Sequence, residues 1–198
     1  MKEKDGQREI RSLLKIGSPS LALIDSLGEI EGKLFQISGG SNSGKSNVVM
    51  SLIEELNRSK LDCAFFDIEN SGLYSRGFYR NKLNKNIKVF CPITVEEFLN
   101  SLKECAALGL KAIAIDYLNL IEGINFSVSS KLLKSFAEEH GMFVITAMHS
   151  RKTSDQMFKD FFINSDFSAV VSKLGSEISL TLIDKVSQSK QTVFYFND

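Results

Sequence analysis

The sequence predicts an α/β fold: a mostly parallel sheet flanked by helices, with an antiparallel hairpin at its C-terminal end. Three observations carry the prediction. Short apolar runs suited to strands covered on both faces alternate with segments of helical periodicity. A glycine-rich turn, Gly39-Gly40-Ser41-Asn42-Ser43-Gly44-Lys45-Ser46, joins the first such run to an amphipathic helix. Toward the end of the chain the pattern changes to alternation in period two.

Residues 1–17 read as an N-terminal arm, polar except for a short amphipathic stretch at Ile10, Leu13, Leu14 and Ile16. That stretch suits either a docking arm for a neighbouring subunit or a frayed end with one helical turn. Residues 18–198 form the domain. Leu21 to Leu27 lead through Gly28 and Gly32 into the strand Leu34-Phe35-Gln36-Ile37-Ser38. The turn follows, then a helix carrying Val48, Val49, Leu52 and Ile53. Leu61 to Glu69 is a second buried strand ending in acids, with a helix expected around Leu73 to Leu83 and a short strand at Ile87 to Phe90.

Thr94-Val95-Glu96-Glu97 makes a capping box for a helix with Phe98, Leu99, Leu102 and Ala106 on one face, stopped by Gly109. Ala112 to Asp116 is a near-continuous apolar run of the parallel-strand kind. A helix from about Ser129 to His140 ends at Gly141, and Met142 to Met148 forms the next apolar strand, terminating at His149. Residues 150–165 are polar with aromatics interleaved. The remainder alternates at Ile178, Leu180 and Leu182, then Val193 and Tyr195, as antiparallel strands closing one sheet edge would.

At 198 residues and 43% hydrophobic, the chain can bury one sizeable core, so one domain is expected. No run approaches the roughly 20 apolar residues of a membrane span. Met1 to Arg8 lacks the apolar centre of a secretory signal. Cys63, Cys91 and Cys105 are odd in number and lack metal-site spacing, which suits thiols in a reducing compartment and predicts a cytoplasmic protein. With 24 basic and 24 acidic residues the formal charge is zero, which argues against coating nucleic acid by bulk charge. Contact with nucleic acid would need a local patch or many subunits together.

The turn from Gly39 to Ser46 fits G-x-x-x-x-G-K-[ST] in full. Gly39, Gly40 and Gly44 let the backbone curl so that its N–H groups face phosphate oxygens at the positive end of the following helix. Lys45 can reach the β- and γ-phosphates, and the Ser46 hydroxyl can ligate Mg²⁺. The strand before and the helix after are the context that separates this reading from a glycine-serine loop that merely punctuates the chain. Asp116, at the end of its strand, is placed to hold Mg²⁺, directly or through water, opposite Ser46, or else to cap a helix or be a solvated strand end. Glu69 is placed to orient or deprotonate an attacking water, with Asp67 as its rival and structural capping as the alternative. His149 suits a γ-phosphate sensor or an ordinary satisfied core or surface histidine.

This order of P-loop, strand ending Phe66-Asp67-Ile68-Glu69, strand ending Asp116 and strand ending His149 resembles the RecA superfamily. That group includes RecA and RadA recombinases, KaiC-type ATPases and DnaB replicative helicases. The resemblance spans about Ser18 to Phe196. Cys63 to Glu69 is similar to the strand that carries RecA's catalytic glutamate, and the 47-residue step from there to Asp116 is RecA-like. Ile115-Asp116-Tyr117-Leu118-Asn119-Leu120-Ile121 is closer to the DnaB Walker B segment, as is Phe66 to Ser71 with Leu73 and Arg76 beyond it.

The resemblance implies a RecA-like core that binds ATP on residues 39–46 with Mg²⁺ on Ser46 and Asp116. Glu69, Lys45 and His149 would be catalytic, with His149 standing where a glutamine is common. It further implies a DNA-contacting loop after His149, in which Arg151, Lys152, Phe158 and Lys159 combine cations for phosphates with a ring for bases. The alternative is that Phe161, Phe162 and Ile163 begin the next buried segment. Lys185-Val186-Ser187 is similar to a lysine-x-arginine element that reaches the neighbouring subunit's ATP in DnaB- and KaiC-type rings, with serine in place of the arginine. Activation in trans would then be weak, or come from Lys185 or Arg151.

The leading expectation is a DNA-stimulated ATPase of recombination, repair or replication, working as a homo-oligomer or with RecA-fold partners on single-stranded DNA. A regulatory ATP-binding protein with weak hydrolysis, acting through protein partners, is the second. A DnaB-like motor core is the third.

Overall fold

A computed structural model describes residues 18–68, 86–118, 121, 125–149, 159, 162–183 and 190–197. The described elements are α1 (Pro19–Leu27), β1 (Leu34–Gly39), α2 (Lys45–Arg58), β2 (Cys63–Asp67), β3 (Lys88–Phe90), α3 (Val95–Ala107), β4 (Ala112–Asp116), α4 (Phe126–His140), β5 (Phe143–His149), β6 (Phe167–Leu174), β7 (Glu177–Ile183) and β8 (Lys190–Asn197). The predicted arm at 1–17 and the helix expected around 73–83 lie outside the described residues.

The strands form one eight-stranded sheet in the order β3-β2-β4-β5-β1-β6-β7-β8. All pairings from β3 across to β6 are parallel, and β6–β7 and β7–β8 are antiparallel. The expected α/β architecture is therefore present, with the terminal hairpin continuing the sheet from β6. β1, β2 and β4 are buried at every position, which is why their sequences read as unbroken apolar runs rather than as alternation.

Side chains leave the strands alternately toward two cores. Phe35, Ile37, Phe65, Ala114 and Ile145 join Val48, Val49, Leu52 and Ile53 of α2 and Leu23 of α1 on one face. Leu34, Phe66, Ile113, Ile115 and Val144 join Phe98, Leu102 and Cys105 of α3 and Leu133 and Ala137 of α4 on the other. Each fully buried Leu, Ile or Phe contributes about 1.5–3 kcal/mol.

In β8 the buried side chains are Phe194 and Phe196, packed on the α2 side, while Val193 and Tyr195 are half-buried on the other face. The phase is the reverse of that expected. β7 follows its predicted phase, with Ile178 and Leu180 buried.

Local chemistry sets several boundaries. Thr94 Oγ1 accepts from Glu97 N while the Glu97 carboxylate accepts from Thr94 N, the capping box that starts α3. α4 begins earlier than Ser129 because the Asn125 side chain accepts from Val128 N. α1 was not anticipated as a helix. Ser18 caps it by accepting from Leu21 N, Pro19 supplies a preset φ in the first turn, and Ser18 Oγ also donates to Glu55 of α2 at 2.7 Å.

At the N-terminal end of β1, Asp166 Oδ2 accepts from Leu34 N at 2.8 Å and from Lys134 Nζ at 2.7 Å, which ties α4 to the sheet. Burial works against the Lys134 ammonium, but hydrogen bonds and charge from Asp166 and Glu138 outweigh it and the net shift is upward. Among the described residues, no helix is long and apolar enough to cross a membrane.

Candidate functional site

β1 delivers its chain into the loop at Gly39, and the loop returns into α2 at Lys45. Two glycines are required by space. A Cβ on Gly39 would lie 2.5 Å from the Val171 carbonyl oxygen of β6 and 2.7 Å from Ser43 Oγ. Gly44 has φ +85°, and a Cβ there would lie 2.4 Å from Ile178 Cδ1 of β7. Gly40 differs from the expectation: it has no positive φ, and a Cβ there would meet nothing within 4 Å. Asn42 takes a left-handed conformation at φ 55° instead, and with Ser41 it is exposed.

Lys45 is 1% exposed. Its ammonium donates to the Gly40 carbonyl at 2.6 Å and to Ser43 Oγ at 3.3 Å, so the loop wraps its own lysine. Gly44 as N-cap offers no side chain to the first amides of α2, and the first turn carries no acid. Those amides and the helix dipole favour an anion at this end by about 0.3–1 kcal/mol.

Strand register places the acids. Asp67 and Asp116 are paired residues of β2 and β4, both buried, at the C-terminal ends of their strands. By alternation with Phe65 and Ala114 they belong to the α2 face of the sheet. His149 pairs with Gly39 across β5 and β1 and belongs to the same face by alternation with Ala147. β5 therefore separates the loop strand from the Asp116 strand, an offset of about 10 Å at ordinary strand spacing.

Tyr117, next to Asp116, reaches back to the loop. Ser46 Oγ donates to its hydroxyl at 3.3 Å, and its ring lies 5.2 Å from Lys45 Nζ. The sequence had presented Tyr117 only as part of a motif, and its position after an acid-tipped strand was the available signal. Cys91, exposed beyond β3, has its thiol held above the ordinary value by partial desolvation of its sulfur and then by the charge of Asp67.

The structure thus brings together residues 39–46, Asp116 and His149 from the expected set, with Asp67 alongside. Lys159 is exposed. Glu69, Arg151, Lys152, Phe158 and Lys185 lie outside the described residues. The donor set fits a polyphosphate with a divalent metal: a loop with no room for a Cβ at Gly39 and Gly44, a lysine, a hydroxyl, and a buried carboxylate two strands away. Neither a known protein-family model nor any curated protein matches the chain.

Proposed function

We propose that this chain is a RecA-like P-loop ATPase, stimulated by single-stranded DNA and acting as an oligomer in recombination, repair or replication. The observation that supports it most is the placement of β5 between the loop strand and the Asp116 strand. That order sets the loop carrying Lys45 and Ser46 two strands from Asp116, both at the C-terminal end of the parallel strands. In this reading Ser46 and Asp116 hold Mg²⁺, which neutralises charge on the phosphates.

Lys45 supplies the fixed cation at the phosphates, and the first amides of α2 bind the phosphate oxygens. His149 stands at the end of β5, beside the loop, where the state of the terminal phosphate is felt. Glu69 as the residue that orients water, Lys185 as a group acting on a neighbouring subunit, and Arg151, Lys152, Phe158 and Lys159 as the DNA contacts rest on the family resemblance.

Steady-state ATP turnover, with and without single-stranded DNA, tests the proposal. Stimulation by DNA that is lost in Lys45→Ala and Glu69→Gln supports it. Slow turnover indifferent to DNA overturns the DNA part and leaves an ATP-binding regulator. ATP binding unaffected by Lys45→Ala overturns the site.

A further inference from the structure

One side chain touches both of the loop residues that carry the proposed ligand chemistry. Tyr117 accepts the Ser46 hydroxyl at 3.3 Å and lays its ring 5.2 Å from the Lys45 ammonium. Its body is packed against the core on the α2 side, so the phenol is held rather than free to swing. Asp116, its chain neighbour, is the buried carboxylate that ends β4.

A serine hydroxyl binds a metal through an oxygen lone pair, and its proton has to point away from the cation. An acceptor on the protein side fixes that proton. From the geometry of this contact, and resting on the P-loop reading above, we propose that Tyr117 is a positioning residue for Mg²⁺. Its hydroxyl oxygen accepts the hydrogen bond from Ser46 and so would turn the Ser46 lone pairs toward the metal. Its ring holds the Lys45 ammonium by a cation–π contact beside the phosphates. The residue after the acid of β4 is thereby a determinant of metal use at this site, acting through Ser46 and without touching the metal.

The two halves of the side chain separate the two effects. Tyr117→Phe removes the accepting oxygen and keeps the ring, whereas Tyr117→Leu removes both. The measurement is binding of a fluorescent ATP analogue, titrated with Mg²⁺ and repeated in EDTA. Tyr117→Phe should raise the Mg²⁺ concentration for half-maximal enhancement by about 2- to 10-fold, the range of one hydrogen bond. Its affinity in EDTA should equal that of the wild type. Tyr117→Leu should also weaken binding in EDTA, because Lys45 loses its ring.

In a Ser46→Ala background Tyr117→Phe should add nothing, since there is no proton left to orient. An unchanged or tighter Mg²⁺ requirement in Tyr117→Phe, in protein whose thermal unfolding matches the wild type, overturns the proposal. A wild type that binds the analogue with no response to Mg²⁺ also overturns it. No binding of the analogue by the wild type overturns the P-loop reading and this proposal with it.

Discussion

Replacing Gly44 by alanine tests the packing of the loop without reference to any ligand. The new methyl group has two costs. At φ +85° an L residue is disfavoured by about 1–2 kcal/mol. The Cβ also falls 2.4 Å from Ile178 Cδ1 and 2.8 Å from its Cγ1, and Ile178 is fully buried, so the clash adds about 1–3 kcal/mol of overpacking. The expected loss is roughly 2–5 kcal/mol, a large share of a typical 5–15 kcal/mol stability. At about 2–4 °C per kcal/mol the thermal midpoint should fall by several degrees at least.

Urea unfolding followed by circular dichroism gives the free energy. Gly40→Ala, in open space, serves as the reference and should stay within about 0.5 kcal/mol of the wild type. Ile178→Val removes the closest atom and alone should cost about 0.5–1.5 kcal/mol. Combined with Gly44→Ala, it should give a loss smaller than the sum of the two by at least about 0.5 kcal/mol. The relief is partial because Cγ1 and Cγ2, which valine keeps, remain 2.8 and 3.1 Å away. If Gly44→Ala unfolds with Gly40→Ala, or if the two changes simply add, the argument that Ile178 sets the shape of the loop is wrong.

Thr94→Ala breaks the capping box of α3 and should lower stability by about 0.5–2 kcal/mol in the same urea assay. The Lys134 pKa is raised above its ordinary 10.5, so its ammonium contributes fully below that pH and the contribution is lost as pH rises through the folded-state value. Stability measured above pH 10.5 should therefore fall more steeply in the wild type than in Lys134→Met, and parallel curves would refute this. Burial pushes the Cys63 and Cys105 thiols up to about 12, with Asp62 and Glu104 adding to the respective effects. At pH 8 a thiol reagent should modify Cys91 alone in the native protein and all three cysteines in denaturant, which mass spectrometry counts.

Features written in short stretches of chain were legible in the sequence. The loop from Gly39 to Ser46 and the Thr94 box each depend on residues a few positions apart, and their chemistry names their place. α1 was missed although Ser18-Pro19 is a start signal, because the apolar run after it is short and its partner face on α2 is distant in sequence. The phase of β8 was misread because Val193-Phe194-Tyr195-Phe196 has no polar member to mark the open side. Which glycine of the loop is required depends on Val171 and Ile178, more than a hundred residues away, so Gly39, Gly40 and Gly44 looked alike. The sheet order is likewise a matter of long-range pairing. Tyr117 enters the sequence reading only as a member of the segment after Asp116, and its distance from Ser46 is what gives it a role.

The loop leans on more than its own strand and helix. Gly39 abuts the Val171 carbonyl of β6, and Gly44 abuts Ile178 of β7. The β6–β7 ladder is half-covered on its far side, where Val170, Ser179 and Thr181 are only partly buried. Local opening of that ladder withdraws both supports at once, so a ligand seated on the loop is thermodynamically linked to backbone fluctuations in strands it never touches. A ligand at 100 times its Kd favours the closed form by about 2.7 kcal/mol. Amide hydrogen exchange in β6 and β7 should then slow by roughly a hundredfold, making these strands a reporter of occupancy read in deuterium rather than in catalysis.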